Sequence, residues 1–241
     1  MSSSPVVEPA ERRESNLLPI APVWHTIVLL CILAAFSLAS ARSANLAPVV
    51  SRHGRYAGYV QVIILEWIMV VFVWYGIRRR GVRLRDLIGG RWNGIGAVVR
   101  DVAIAIGFLV VAGLVLNAIV HLLKGAPNQA IRNLLPRTHV EIALFLALAA
   151  TAGFCEELIF RGYLQRQFAA FTRSAGVAIL VQAIAFGAGH GYQGWKYMIV
   201  IGVFGILFGL LAHWRGSLRP GMIAHALQDG AVGLLARRIL R

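Results

Sequence analysis

The chain has 241 residues, of which 58% are hydrophobic and only 14% are charged. Soluble domains carry about 25% charged residues, so this composition excludes an ordinary soluble domain. The net charge of +14 comes from arginines placed between hydrophobic runs, which favours contact with lipid headgroups and argues against a nucleic-acid partner. Because several runs approach the roughly 20 apolar residues of a membrane-crossing helix, the sequence predicts an all-α polytopic transmembrane bundle of about seven helices.

The N-terminal region combines a polar tail with a first hydrophobic run. Residues 1–23 are polar and rich in proline, a composition typical of a disordered tail. The run from Trp24 to Ala41 is followed by Arg42, and we interpret it as the first membrane helix. Its final residues are small and also resemble the cleavage site of a signal peptide. Cleavage there would leave six membrane helices instead of seven.

A second hydrophobic run and an arginine-rich loop set the predicted orientation. The run from Val60 to Ile77 contains Glu66, which we interpret as a satisfied residue of the bundle interior. The loop that follows, residues 78–100, holds seven arginines. Loops rich in Arg and Lys remain on the cytoplasmic side, so this loop and the N-terminal tail are predicted to be cytoplasmic. Part of the loop also has the apolar spacing of an interfacial helix.

The remaining hydrophobic runs divide the chain into two regions. We assign residues 24–139 to N-terminal membrane helices with the basic loop, and residues 140–235 to a C-terminal helical core. The runs after the loop cover residues 102–123, the stretch from 140 onwards, 177–189, 198–213 and 222–235. With seven spans, the arginines at the C-terminal end would face outward, which the positive-inside rule disfavours. The short last run is therefore expected not to cross the membrane fully.

Two acids and one base stand at the end of the fourth run: Glu156, Glu157 and Arg161. Ionisable side chains at membrane depth are costly unless they are paired or face a wet cavity, so they indicate a functional site. In an α-helix Glu157 and Arg161 share a face, whereas Glu156 points about a quarter-turn away. Glu157 is thus predicted to neutralise Arg161 and to leave Glu156 free. The alternative is that all three only mark the helix end at the water interface.

Two further polar pairs lie on later hydrophobic runs. Phe186 and His190 are four residues apart, as are His225 and Asp229, so each pair would share one face of a helix. A lone histidine at a helix end is more often an ordinary interfacial residue. Here, however, separate helices each offer an acid, a base or a metal ligand, and sites in helical bundles are built from facing helices in this way.

These three motifs, in this order on successive hydrophobic helices, resemble those of the CAAX protease and bacteriocin-processing family of intramembrane proteases. The resemblance covers about residues 140–235, and Phe160-Arg161-Gly162 adds to it. The family includes the type II CAAX prenyl endopeptidases, which remove the last three residues from prenylated proteins. It also includes bacterial relatives linked to peptide processing or to bacteriocin self-immunity.

The resemblance implies a role for each motif residue. Glu156 and His190 would activate the attacking water, and His225 with residue 229 would stabilise the oxyanion of the tetrahedral intermediate. Glu157 and Arg161 would support these groups.

Residue 229 differs from the prenyl endopeptidases that this chain resembles, which carry Asn where this chain has Asp229, although the motif of the wider family allows Asp. An Asn amide donates to an oxyanion, whereas an ionised Asp cannot unless burial keeps it protonated. Asp229 could instead orient His225 or bind a metal, and the side chains that would form a plausible zinc set are Glu156, His190, His225 and Asp229. Both readings stay open. The metal-free one is favoured because Glu156 and His190 suffice to activate water.

Taken together, the sequence predicts an integral protein of a bacterial plasma membrane that hydrolyses a peptide bond. The substrate is expected to be a membrane-associated peptide or protein, prenylated or bacteriocin-like. One alternative is a catalytically idle membrane protein that confers immunity or scaffolds a partner. Another is a transporter with a relay of Glu66, Glu156 and Glu157, which should show sequence repeats and broken helices in matching positions. Neither feature is evident in the sequence.

Overall fold

The computed structural model of the protein describes residues 18–46, 52–125 and 129–239. Residues 1–17 of the predicted N-terminal tail therefore lie outside the described residues. Over these ranges the chain forms helices, turns and bends but no β-strand. The helices are α1 (Val23–Leu46), α2 (Arg52–Arg78), α3 (Leu84–Ile88), α4 (Ile95–Leu122), α5 (Gln129–Leu134), α6 (His139–Thr172), α7 (Ala175–Gly189), α8 (Trp195–Arg215) and α9 (Arg219–Ile239).

The predicted all-α membrane bundle is confirmed. Each hydrophobic run of the sequence falls on a separate long helix, and five of the described helices are long and apolar enough to cross a bilayer: α1, α2, α4, α6 and α8. The helix α7 is apolar but shorter, and α9 is 21 residues long. The cytoplasmic orientation of the basic loop stays a prediction.

The predicted interfacial helix of the basic loop is only the short α3. Asp86 caps its start by accepting a hydrogen bond from the backbone N–H of Arg83 at 3.1 Å. The helix ends at Gly89, which has a φ of 96°, a left-handed conformation that favours glycine. A Cβ atom at Gly89 would also lie 2.7 Å from the Cα atom of Ser217. The buried Leu87 and this close approach attach α3 to the turn between α8 and α9.

Helix α1 is an integral part of the bundle because it buries polar groups against α6. The side chain of Gln167 donates to the carbonyl of Ala21 at 2.8 Å and accepts from its N–H at 3.2 Å. The Tyr163 hydroxyl lies 2.9 Å from His25 Nδ1 and 2.9 Å from Thr26 Oγ1. Cleavage after α1, the signal-peptide alternative, would strand these buried groups on α6 at about 1–3 kcal/mol each.

Close helix crossings at small residues bring the motif-bearing helices together. A Cβ atom at Gly153 of α6 would lie 2.7 Å from the backbone N of Ala226, so α6 and α9 are in backbone contact there. Between α7 and α8, a Cβ atom at Gly187 would lie 2.5 Å from the carbonyl oxygen of Met198. Small residues permit such backbone approach in membrane proteins. These two crossings place the acids of α6 beside His225 and fix the end of α7.

Candidate active site

The central part of the site is a π-helical segment, Glu157–Leu164, inside α6. The backbone N–H of Gln165 donates to the carbonyl of Phe160, five residues earlier, and the helix returns to α-helical geometry from Gln165 to Thr172. All eight residues of the segment are buried. Short π-helical segments are rare and occur frequently at functional sites. The regular α-helix assumed from the sequence was therefore wrong over this segment.

The predicted pairing of Glu157 with Arg161 is confirmed. Glu157 Oε1 lies 3.0 Å from Arg161 Nη1, and both side chains are almost fully buried. Among the described residues, the guanidinium nitrogens have no hydrogen-bond partner with good geometry. The guanidinium carbon instead lies 4.3 Å from the ring centre of Phe186 and 5.3 Å from that of Phe208. Arg161 is thus held by charge and by cation–π contacts, which strengthen when desolvated.

His225 of α9 lies between the two adjacent glutamates of α6. Its Nδ1 is 3.0 Å from Glu157 Oε1, and because a carboxylate only accepts, Nδ1 carries the proton of this bond. Nε2 lies 3.6 Å from Glu156 Oε2 and 3.7 Å from Asp229 Oδ2. The same Glu157 oxygen therefore holds both Arg161 and His225, an inter-motif contact that the sequence did not predict.

His190 ends α7 and is oriented by its own helix. Its Nδ1 lies 2.9 Å from the carbonyl oxygen of Phe186, so Nδ1–H donates and Nε2 keeps its lone pair. The Phe186 ring centre lies 4.9 Å from that of His190, so one aromatic residue contacts both His190 and Arg161. Asp229 and the His190 ring are close enough to interact electrostatically. The second motif thereby joins the cluster formed by the first and third.

The predicted site residues thus form one cluster, which becomes more exposed from one side to the other. The side chain of Glu157 is 1% exposed and that of His225 5%, whereas Glu156 is 19% and Asp229 36% exposed. Glu157 and Arg161 lie at the closed side, where their side chains are almost fully buried. Glu156 and Asp229 lie at the accessible side, with His225 Nε2 between them.

Glu66 of α2 also reaches this cluster, although it was interpreted as a satisfied interior residue. It is buried, and its Oε2 has no hydrogen-bond partner among the described residues. The carboxyl groups of Glu156 and Asp229 are close enough to act on it electrostatically. The predicted interior position is therefore confirmed, but among the described residues Oε2 is not satisfied as that interpretation assumed. A sequence signal was present, because Glu66 occupies the helical stripe of Tyr59, Val70, Val73 and Ile77, all of which are buried.

Tyr192 is a second residue that sequence reasoning missed. It lies on the short turn Gly191–Gln193 after α7, and its ring centre is 6.1 Å from that of His190. Its hydroxyl accepts a hydrogen bond from Gln193 Nε2 at 2.9 Å. Burial raises the pKa of Tyr192 to about 12, so the hydroxyl keeps its proton at neutral pH. No periodic pattern marks a turn residue, so Tyr192 could not be identified from the sequence.

The candidate zinc set comprises Glu156, His190, His225 and Asp229. Within the described ranges, no three His, Cys, Asp or Glu side chains converge in a way that could hold a metal ion. One ring nitrogen of His225 is hydrogen-bonded to Glu157, and one of His190 to the carbonyl of Phe186. Such bonds orient an imidazole in the same way whether its other nitrogen exchanges a proton or binds a metal. The cluster has the organisation of hydrogen-bonded acids and imidazoles.

Comparison with known proteins bears on the C-terminal region. Residues 138–231 match the family model of the Rce1-like type II CAAX prenyl endopeptidases, which confirms the resemblance found in the motifs. The match includes Glu156, His190, His225 and Asp229, but not Glu66. No curated protein and no solved structure matches the chain. At the level of the family, the match supports a CAAX-type intramembrane protease.

Proposed function

We propose that this chain, a relative of the CAAX prenyl endopeptidases over residues 138–231, is an intramembrane endopeptidase that cleaves a membrane-associated peptide. The observation that carries the proposal is the position of His225 between Glu156 and Glu157, with Asp229 on its accessible side. This arrangement provides an accessible base and an imidazole next to one reacting centre. An ion pair with a purely structural role needs neither more acids than bases nor side chains whose exposure rises from one side of the cluster to the other.

Glu156 is the proposed base for the attacking water. It is partly exposed, while its neighbour Glu157 is engaged by Arg161 and His225. A carboxylate takes a proton as the water oxygen attacks the peptide carbonyl carbon, and such a base contributes about 10²–10⁴-fold to the rate. His190 presents the lone pair of Nε2, because its Nδ1 is held by the carbonyl of Phe186. It is therefore suited to accept a hydrogen bond from the same water.

His225 is the proposed donor to the oxyanion. Its Nδ1 bond to Glu157 fixes the ring, and a proton on Nε2 is stabilised by the carboxylates of Glu156 and Asp229 on either side. That N–H donates to the oxyanion of the tetrahedral intermediate, where a single such donor is worth about 10²–10³-fold. Asp229 then orients His225. Tyr192, whose hydroxyl keeps its proton, is suited to be a second donor.

An apolar groove between α7 and α8 is suited to bind a hydrophobic group of the substrate. It has a volume of about 440 Å³ and includes Gly187, within one helical turn of His190. Aliphatic side chains such as Ile184 and Ile199 line it. A prenyl or acyl chain bound there would bring the attached peptide close to the acid cluster. This supports a lipidated peptide as the substrate class.

The proposal is tested with purified protein in phospholipid vesicles and a quenched-fluorescent farnesylated peptide that ends in a CAAX sequence. We expect cleavage of the farnesylated peptide and much slower cleavage of the same peptide without its farnesyl group. Gly202 lines the groove, and a Cβ atom there would approach only the carbonyl of Ala183, at 3.7 Å. The Gly202→Leu variant should therefore raise KM for the farnesylated peptide and leave kcat unchanged. Equal cleavage of both peptides would contradict the prenylated substrate.

A further inference from the structure

Glu66 is an acid of the cluster that comes from outside the family match. It is 4% exposed, and its Oε2 has no hydrogen-bond partner in the described part of the chain. The ring of Trp67 stacks on that of Phe154 with centres 5.6 Å apart, which fixes α2 against α6. This stacking brings Glu66 next to the residues that follow Phe154, and both Glu66 and Glu156 act electrostatically on the Cys155 thiol.

The surroundings of Glu66 favour its neutral acid form. The ionisable groups close enough to interact with it electrostatically are Cys155 and Glu156 on α6, and His225 and Asp229 on α9. Among these described neighbours His225 alone can carry a positive charge, and it already contacts Glu157 and lies between Glu156 and Asp229. A further buried carboxylate without a partner would cost several kcal/mol. Glu66 therefore enters the reaction as a carboxylic acid.

We propose that Glu66 is the general acid that protonates the leaving amine; this inference rests on the proposed peptidase function. Glu156 takes one proton from water as the water oxygen bonds to the carbonyl carbon. The C–N bond then breaks with its electron pair on nitrogen, and the Glu66 proton passes to that nitrogen. Glu66 is left as a carboxylate and recovers the proton that Glu156 took. Both carboxyl groups thereby return to their starting forms.

The different surroundings of Glu156 and Glu66 suit their roles as base and acid. The accessible Glu156 lies next to His225 Nε2, which favours an ionised base. The enclosed Glu66 lacks such a partner, which favours the acid. Enzymes that use paired carboxyls assign base and acid roles by such differences of environment.

The kinetic test compares Glu66→Gln with Glu141→Gln on the farnesylated peptide, with the unaltered protein alongside. Glu141 is a buried acid of the same bundle that is bound to Arg55 and lies outside the cluster. We expect Glu66→Gln to lower kcat about 10²-fold with KM unchanged, and to remove the alkaline limb of the pH profile of kcat. Glu141→Gln should keep the kcat of the folded protein. A kcat for Glu66→Gln within about threefold of the unaltered protein would overturn the proposal.

The leaving group gives a sharper criterion. An aryl ester in place of the scissile amide releases a phenolate, which departs without protonation, so Glu66→Gln should slow ester cleavage less than about threefold while slowing amide cleavage about 10²-fold. An equal loss on both substrates would mean that Glu66 only shapes the site.

Infrared spectroscopy separates a failure of this inference from a failure of the proposed function. The carbonyl stretch of a buried carboxylic acid should be present in the unaltered protein and in Glu141→Gln, and absent in Glu66→Gln. This readout does not need peptidase activity. Retention of the whole band in folded Glu66→Gln would refute an acid at this position even if the peptide is cleaved.

Discussion

The first half of α6 carries buried acids near both of its ends, and these two ends differ in how well the acids are satisfied. At the start, Glu141 is fully buried and accepts hydrogen bonds from Arg55 Nε at 3.2 Å and Nη2 at 2.9 Å. It also accepts from the backbone N–H groups of Arg137 at 2.6 Å and Thr138 at 3.0 Å. One acid faces one base, and both carboxylate oxygens are bonded.

At the other end the acids outnumber the bases. Arg161 is paired with Glu157 only in the described ranges, while Glu156, Asp229 and Glu66 share the surroundings of His225. The Oε2 atoms of Glu157 and Glu66 have no hydrogen-bond partner among the described residues. Buried polar groups in proteins are nearly always bonded, so such exceptions call for an explanation. The saturated pair, Glu141 with Arg55, has all its carboxylate oxygens bonded and is typical of a structural element. Within the described part of the chain, the cluster around His225 keeps unbonded acid oxygens, which is typical of a reactive site.

The largest expected effect comes from breaking the ion pair within the cluster. Arg161→Ala leaves Glu157 as a buried charge without its cation, so the free energy of unfolding should fall by about 3–5 kcal/mol. Peptidase activity should fall as well, because Glu157 holds the His225 ring. Chemical unfolding in detergent and the peptide assay measure the two effects. The matched variant Arg161→Lys keeps the charge but loses the stacking of the planar guanidinium on Phe186 and Phe208. Its fall in the free energy of unfolding should therefore be intermediate. Stability equal to that of the unaltered protein would rule out this role for the pair.

The saturated pair should affect stability alone. Glu141→Gln weakens the bonds to the buried Arg55, so we expect a loss of about 1.5–3 kcal/mol, the range for hydrogen bonds to charged groups. The kcat of the protein that remains folded should not change. Size-exclusion chromatography gives the folded fraction against which activity is normalised. A fall in normalised kcat as large as that of a cluster variant would remove the distinction between the two ends.

A smaller effect is expected where α1 meets α6. Tyr163→Phe removes the hydroxyl that bonds His25 and Thr26, and the expected cost is about 1 kcal/mol. Thermal unfolding compares this variant with the unaltered protein.

The same contacts predict that α1 is retained. Mass spectrometry of the purified active protein should therefore find N-terminal peptides that include α1. Active protein that lacks α1 would show that these contacts are dispensable.

The smallest expected change concerns Asp229, whose side chain is 36% exposed. Asp229→Asn should preserve or raise activity, because the amide supplies a donor that an ionised carboxylate lacks. Chelators should leave activity intact, and purified protein should hold no stoichiometric zinc. Loss of activity together with loss of bound metal in this variant would instead identify Asp229 as a ligand.

The sequence predicted those features that depend on local pattern. Long apolar runs separated by arginines predicted the helices, and the spacing of Glu157 and Arg161 predicted their ion pair. The three motifs predicted that α6, α7 and α9 meet. These features need only the period of a helix and the cost of burying charge.

The features that escaped prediction depend on packing between distant segments. The π-helical register of Glu157–Leu164 has no sequence pattern of its own. The bond between His225 and Glu157 forms between two helices whose relative rotation a single sequence does not specify. Glu66 looked isolated because its neighbours in the cluster come from much later in the chain. Its position on a buried helical stripe could be read from the sequence, but the lack of a hydrogen-bond partner for its Oε2 among the described residues could not.

The proposed reaction depends on Glu156 acting as the base. Its most direct test is the cleavage of the farnesylated peptide by Glu156→Gln, with thermal unfolding recorded on the same preparation. Because Glu156 is partly exposed and carries no ion pair to Arg161, the variant should unfold at the same temperature as the unaltered protein. Its turnover should fall by about 10³-fold, within the range for loss of a general base. Near-full turnover by folded Glu156→Gln would contradict the mechanism. Folded, unaltered protein that cleaves no peptide would favour an idle immunity or scaffold protein.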